Sequence, residues 1–110
     1  MATIIPREQL LNGNLFQGDA YGGVPISFFW VHTAPGKGPK LHKHPYEEIF
    51  VILEGHATFT VGDQTVEVDG GNIVIGPANV PHKFVNSGEG ALRMVDILPS
   101  KEVITEWLDD

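Results

Sequence analysis

The chain is expected to fold as an all-β barrel or sandwich, on two observations. Seven short runs rich in β-branched and aromatic residues follow one another: PISFFWVHT (25–33), EIFVILEG (48–55), HATFTVG (56–62), QTVEV (64–68), NIVIG (72–76), HKFVN (82–86) and ALRMVDIL (91–98). Such residues fit a pleated, half-buried surface. Thirteen glycines and eight prolines punctuate the sequence and supply turns between the runs. No stretch of helical periodicity of about ten residues or more interrupts them, which argues against parallel crossovers and a βαβ fold.

In chain order, the segment up to about Gly23 reads as irregular, with Ile4-Ile5 expected to pair as an edge strand on this chain or a partner. Gly62-Asp63 separates HATFTV from QTVEV, Asp69-Gly70-Gly71 separates QTVEV from NIVI, and Ser87-Gly88-Glu89-Gly90 precedes ALRMVDIL. This is the chemistry of tight turns, and antiparallel hairpins are expected at them. The C-terminus reads as a short helix. Ser100 is placed as its N-cap, Glu102 lies in the first turn, and Val103, Ile104, Trp107 and Leu108 form one apolar face to cover a barrel end or edge.

With 110 residues, 42% of them apolar, one domain spanning 1–110 with a single core is expected. There is no cysteine, so disulfides, thiolate metal sites and cysteine nucleophiles are excluded. The 14 acidic residues against 7 basic ones leave a net charge of −7, which argues against nucleic-acid and anionic-membrane partners because neutralising phosphates takes clustered Lys and Arg. No export signal is expected at the N-terminus, no apolar run reaches the roughly 20 residues of a membrane span, and the cytoplasm is the expected default location. Lys37, Lys40, Lys43 and Lys83 cluster around the histidines discussed next. They read as solvated loop lysines, or as a weakly positive rim for an anionic small substrate.

Residues 38–50, GPKLHKHPYEEIF, place two histidines and two glutamates at the mouth of an apolar strand. Side chains alternate along a strand, so His42 and His44 point to one side, as imidazoles converging on one ion must. Glu48 has the same parity, but Pro45 intervenes and can bend the strand, so parity alone leaves Glu47 open. An unpaired carboxylate there would be costly to bury, and a cation removes that cost. His82 opens a later strand. Three imidazoles and a carboxylate suit a divalent transition metal such as Mn, Fe, Co, Ni, Cu or Zn better than Ca or Mg, and four protein ligands leave octahedral positions open. His32 and His56, beside turns, read as boundary residues.

Taken together, these residues resemble the two motifs of the cupin superfamily. The first reads Gly36, five residues, His42-Lys43-His44, three residues, Glu48, six residues, Gly55; the second reads Gly71, five residues, Pro77, then His82, three residues, Asn86. Fifteen residues, 56–70, separate them. One position departs: Asn79 stands where the pattern has Gly, and Asn tolerates the left-handed conformation such a turn needs. The resemblance implies a double-stranded β-helix, the jelly-roll-like cupin barrel, with a metal held by His42, His44, Glu48 and His82, and often a homodimer. It does not choose a reaction.

By shared parity Phe50, Ile52 and Phe84 are expected to line an apolar pocket beside the ion, with Phe28, Trp30 and Met94 as further candidates; plain core packing is the alternative for all of them, since such residues fill small barrels. Tyr46 sits by the ligands as a rim residue or a proton donor. The leading expectation is a dioxygenase-like enzyme on a small oxygenated substrate, in which Glu48 doubles as ligand and proton acceptor. A metal-dependent isomerase, lyase or cyclase is the alternative. A binding protein without turnover is the third reading, because no general acid or base stands out beyond the four ligands.

Overall fold

The computed structural model describes residues 1–108. Ten strands form: β1 (Leu15–Gln17), β2 (Ser27–Thr33), β3 (His42–Lys43), β4 (Glu48–Glu54), β5 (His56–Val61), β6 (Gln64–Asp69), β7 (Ile73–Gly76), β8 (His82–Asn86), β9 (Leu92–Leu98) and β10 (Glu106–Trp107). They make two five-stranded sheets, ordered β1-β2-β9-β4-β7 and β10-β3-β8-β5-β6, in which every pairing is antiparallel. This is an all-β, double-stranded β-helix architecture. The seven runs of the sequence correspond to β2 and β4 to β9.

Alternation decides what fills the space between the sheets. In β8, His82, Phe84 and Asn86 are buried while Lys83 and Val85 face out; in β9, Leu92, Met94, Asp96 and Leu98 are buried. Phe50, Ile52, Leu92 and Met94 of one sheet thus meet Ala57, Phe59, Val68 and Phe84 of the other in a single cluster. Burying each large side chain contributes about 1.5–3 kcal/mol. Phe50 and Phe59 meet edge to face at 5.0 Å, the arrangement that the ring quadrupole favours.

Of the three expected hairpins, one forms: β5 and β6 pair through Val61↔Gln64 around Gly62-Asp63. The turns at 69–71 and 87–90 instead carry the chain from one sheet to the other, because turn residues specify a reversal and not which sheet receives the next strand. Gly55 makes a similar crossing between β4 and β5. Its φ is +103°, and a Cβ there would lie 2.6 Å from the carbonyl oxygen of Ala91, so both conformation and space demand glycine.

Both ends of the chain differ from expectation. Ile4-Ile5 forms no strand, and Ile4 is 85% exposed. The strand of this segment is β1, too short to stand out in the sequence, which registers Phe16 opposite Phe28. Phe16 stacks on Phe28 and on Tyr21, each at 5.0 Å. Residues 100–108 form no helix. Ser100 does cap a turn, its hydroxyl accepting from the Glu102 amide at 3.2 Å, but the chain then runs extended. A helix this short is marginal in water, whereas the edge of β3 offers backbone partners. Glu106 and Trp107 pair with Lys43 and His42 as β10, and the Leu108 amide donates to Leu41.

Candidate metal centre

The site is assembled from three strands of two sheets. His42 of β3 lies directly opposite His82 of β8, His44 follows two residues on, and Glu48 opens β4 in the facing sheet. All four are buried, and one ligand atom of each lies within 4.8 Å of the others. Glu47 is exposed, so the carboxylate of the cluster is that of Glu48. The bend introduced at Pro45 leaves the parity unchanged. Asn79 adopts φ +63°, the left-handed conformation, and its amide donates to the His44 carbonyl at 2.8 Å, tying the second turn to the first ligand pair.

Each imidazole has Nδ1 against a backbone carbonyl: His42 on Lys40 at 2.6 Å, His44 on Ile104 at 2.8 Å and His82 on Val80 at 3.2 Å. A carbonyl only accepts, so Nδ1 carries the proton and Nε2 of each neutral ring presents a lone pair. The Nε2 atoms of His44 and His82 stand 3.1 and 2.9 Å from Glu48 Oε1. Lone pairs facing a carboxylate oxygen repel unless a positive charge lies among them. Two ligands about 2.1 Å from one ion and at right angles to each other are about 3.0 Å apart, so the spacing fits a metal. The residues present can therefore hold a transition-metal ion.

The same crowding shapes the titration of the metal-free groups. Burial and the neighbouring rings lower His42, although its bond to Lys40 opposes them. Burial also pulls His44 down, but the contact with Glu48 outweighs it and the group is raised. For Glu48 the upward push of burial is overcome by His44 and His82, and its carboxyl is lowered.

A cavity of about 220 Å³ opens beside the cluster, below the roughly 300 Å³ at which drug-sized pockets begin. Phe50 and Phe84 line it as expected from parity, together with Phe29, Val31, Trp107 and Asp96. Phe28 and Trp30 do not. On β2 the inward residues are Ser27, Phe29 and Val31, opposite Leu98, Asp96 and Met94, so Phe28 and Trp30 project from the outer face. There they pack with the N-terminal segment, the Arg7 guanidinium lying 5.5 Å from the Trp30 ring. Ile52 and Met94 are core residues and not part of the cavity wall. Tyr46 is at the rim, its ring stacked 5.7 Å from His44 and its hydroxyl bridging Glu102 O and the Ile104 amide at 3.0 and 2.8 Å.

Asp96 is the functional candidate that sequence reasoning passed over. It is 4% exposed, its Oδ1 has no hydrogen-bond partner, and burial followed by the charge of Glu48 pushes its carboxyl well above the usual range. The signal was in the run ALRMVDIL, where Asp96 shares its parity with Leu92, Met94 and Leu98. Two other polar residues are accounted for structurally. Asn86 donates to Thr33 O and Gly90 O and accepts from the Gly88 amide, closing loops away from the ion site. His56 bonds Asp69 and Glu67 on the surface.

A family model described as a cupin domain matches residues 29–98, and the chain belongs to the cupin family. An uncharacterised protein of Methanocaldococcus jannaschii is 34% identical over 92 residues, which cover 83% of this chain and 74% of that one. Auxin-binding protein 4 of Zea mays is 28% identical over 91 residues, 74% of this chain and 45% of its own length. Among solved structures, an oxalate decarboxylase of Lactobacillus farciminis superposes with a TM-score of 0.79 at 23% identity over 86% of this chain and 30% of that chain. A double-stranded β-helix protein of Klebsiella pneumoniae matches over the full length of both chains with a TM-score of 0.73 at 18% identity. The chain spans under half of the maize relative and under a third of the decarboxylase chain. At these identities the structural likeness establishes the fold.

Proposed function

We propose that the chain is a metal-dependent, dioxygenase-like enzyme acting on a small oxygenated molecule with an apolar body. The observation that carries this reading is the buried set His42, His44, Glu48 and His82 at the wall of an apolar cavity. When bound, a divalent transition metal would supply Lewis-acid and one-electron redox chemistry there. The chain's own groups do the rest. The Nδ1 bonds hold three rings with Nε2 inward, the aromatic wall excludes water and receives the apolar body, and Glu48 is a proton acceptor within reach of the reacting group. An oxalate decarboxylase and an oxalate oxidase in complex with glycolate share the fold. No Lys or Arg lines the cavity among the described residues, so a less polar substrate than a dianion fits this wall better.

Both oxygen atoms of O₂ enter the product in such a reaction and the substrate supplies the electrons, so no external reductant is needed. The test has two parts. Elemental analysis of purified protein is expected to find near-stoichiometric transition metal, with at least about 100-fold weaker metal affinity in His82→Ala, since even outer partners of ligands are worth about 10–100-fold. An oxygen electrode with metal-loaded protein and a panel of small apolar carbonyl and hydroxyl compounds then reads consumption. Turnover that persists without O₂ would replace the dioxygenase reading by a lyase, isomerase or cyclase.

Binding without turnover is the second reading, favoured by a relative that is by name an auxin-binding protein. Saturable binding with no product from any compound of the panel would select it. For the partner, we propose a second copy of this chain. On the outer face of the first sheet, Ile75, Ile49 and Ile97 form one cross-strand row and Ile73, Val51 and Val95 the next. Neither row carries a charge, so two copies of net charge −7 meet there with least repulsion. Edge strand β7 also gains a two-fold mate for its free backbone groups.

A further inference from the structure

We propose that Asp96 is the polar anchor of the cavity, and that the ligand it recognises carries a hydroxyl on its apolar body, separate from the oxygen that meets the metal. This deepens the reading above and rests on it. Asp96 lies in the middle of the central strand β9, between Phe29 of β2 and Phe50 of β4, with Met94 and Leu98 as its inward neighbours along the strand. Its partners along and across the sheet are all apolar, and Glu48, on the same cavity wall, is an acid that offers it no opposite charge. A carboxyl group left there without a hydrogen bond costs several kcal/mol relative to water, and a Leu of nearly the same shape would avoid that cost. Its Oδ1 is fully buried and unpartnered, yet the residue forms part of the cavity wall shared with His42, His44 and Glu48.

No fold requirement accounts for the carboxyl. Its backbone continues the sheet as any residue would, and no side chain of the framework bonds to Oδ1. The residue forms part of the cavity wall, and a turn about the broad χ2 of an Asp side chain brings the carboxyl to a ligand there, which supplies the missing partner. A hydroxyl is the group that serves Asp96 in either protonation state: it donates to a carboxylate and accepts from a carboxylic acid. The aromatic residues on the wall, Phe29, Phe50, Phe84 and Trp107, then take the flat apolar body between the two polar ends.

The test uses the full chain loaded with Zn²⁺, which is redox-inert, so that binding is read without turnover. Dissociation constants are measured by calorimetry for benzoate, 3-hydroxybenzoate and 4-hydroxybenzoate, which differ only in the hydroxyl and its position. In the wild type one hydroxy acid is expected to bind about tenfold tighter than benzoate, the size of one buried hydrogen bond. Asp96→Leu is expected to abolish that gain while leaving benzoate affinity within about twofold. Asp96→Asn, which keeps a donor and an acceptor, retains part of it. Without ligand, Asp96→Leu should raise Tm, the reverse of what loss of a structural contact would do.

The same hydroxyl preference in Asp96→Leu overturns the proposal. So does a wild type that prefers neither hydroxy acid or binds none of the three, and so does a lowered Tm in both variants with the preference intact. Elemental analysis of the same samples separates this from the metal reading. If the wild type takes up no metal, the ligand set fails, and the hydroxyl preference is scored on the metal-free protein by the same criteria.

Discussion

Three backbone carbonyls, of Lys40, Ile104 and Val80, orient the imidazoles of His42, His44 and His82, and the direction in which each ring presents its lone pair follows from them. A proton at Nε2 competes directly with a metal, so occupancy must fall as pH falls. The metal-free rings set where this begins. Burial lowers His44, but its contact with Glu48 prevails and raises it, so the proton competes there from above the ordinary imidazole value of about 6.5. His42, lowered chiefly by burial, yields its proton more readily. Zn²⁺ affinity measured against a competing chelator between about pH 5 and 8 is therefore expected to decline steadily below about pH 7. Affinity unchanged down to about pH 4 would speak against imidazole ligation. At this scale the ligand types and their spacing were legible in the chain, because two-residue alternation in a strand is local. Asp96 was equally available by parity, but the cavity that makes an inward Asp meaningful is not local.

The segment 100–108 shows how an element can be misread when its pattern is right and its partner is unseen. Val103, Ile104, Trp107 and Leu108 recur at a spacing that suits one helix face, but the backbone instead closes on β3. This extended strap supplies the carbonyl that orients His44, and it sets the Trp107 ring 4.8 Å from that of His42. Trp107 is thus beside the proposed ion, whereas Trp30 lies on the outer face with Arg7. Loading with Cu²⁺ or Ni²⁺ is expected to quench tryptophan emission strongly in wild type and Trp30→Phe, and only weakly in Trp107→Phe. Equal quenching in the two variants would remove the strap from the site. Strands β2 and β4 to β9 were readable because runs of β-branched and aromatic residues bounded by turn residues declare themselves. β1 and β10, of three and two residues, exist only through their partners.

Over the whole molecule, the outer face of the first sheet leaves Ile73 64% and Ile75 61% exposed at the edge strand β7. Patches of this kind on a folded chain mark association surfaces. Sedimentation is expected to find a dimer for the wild type and a monomer for Ile73→Lys/Ile75→Lys, with circular dichroism and metal content unchanged, since neither side chain faces the cavity. A dimer that survives both lysines would place the contact elsewhere.

By itself the sequence determined the all-β class, most strand positions, the left-handed turn at Asn79 and the set of residues able to ligate a metal. Each of these depends on neighbours a few positions apart, through side-chain alternation, turn chemistry and motif spacing. Only the tertiary structure decided that two of three expected hairpins cross between sheets. It alone decided that Phe29 and Val31 rather than Phe28 and Trp30 meet the cavity, and that Asp96 stands there without a partner. Those outcomes depend on which strand lies opposite which, and the pairing is settled by the closure of two sheets around one core rather than by any stretch of chain.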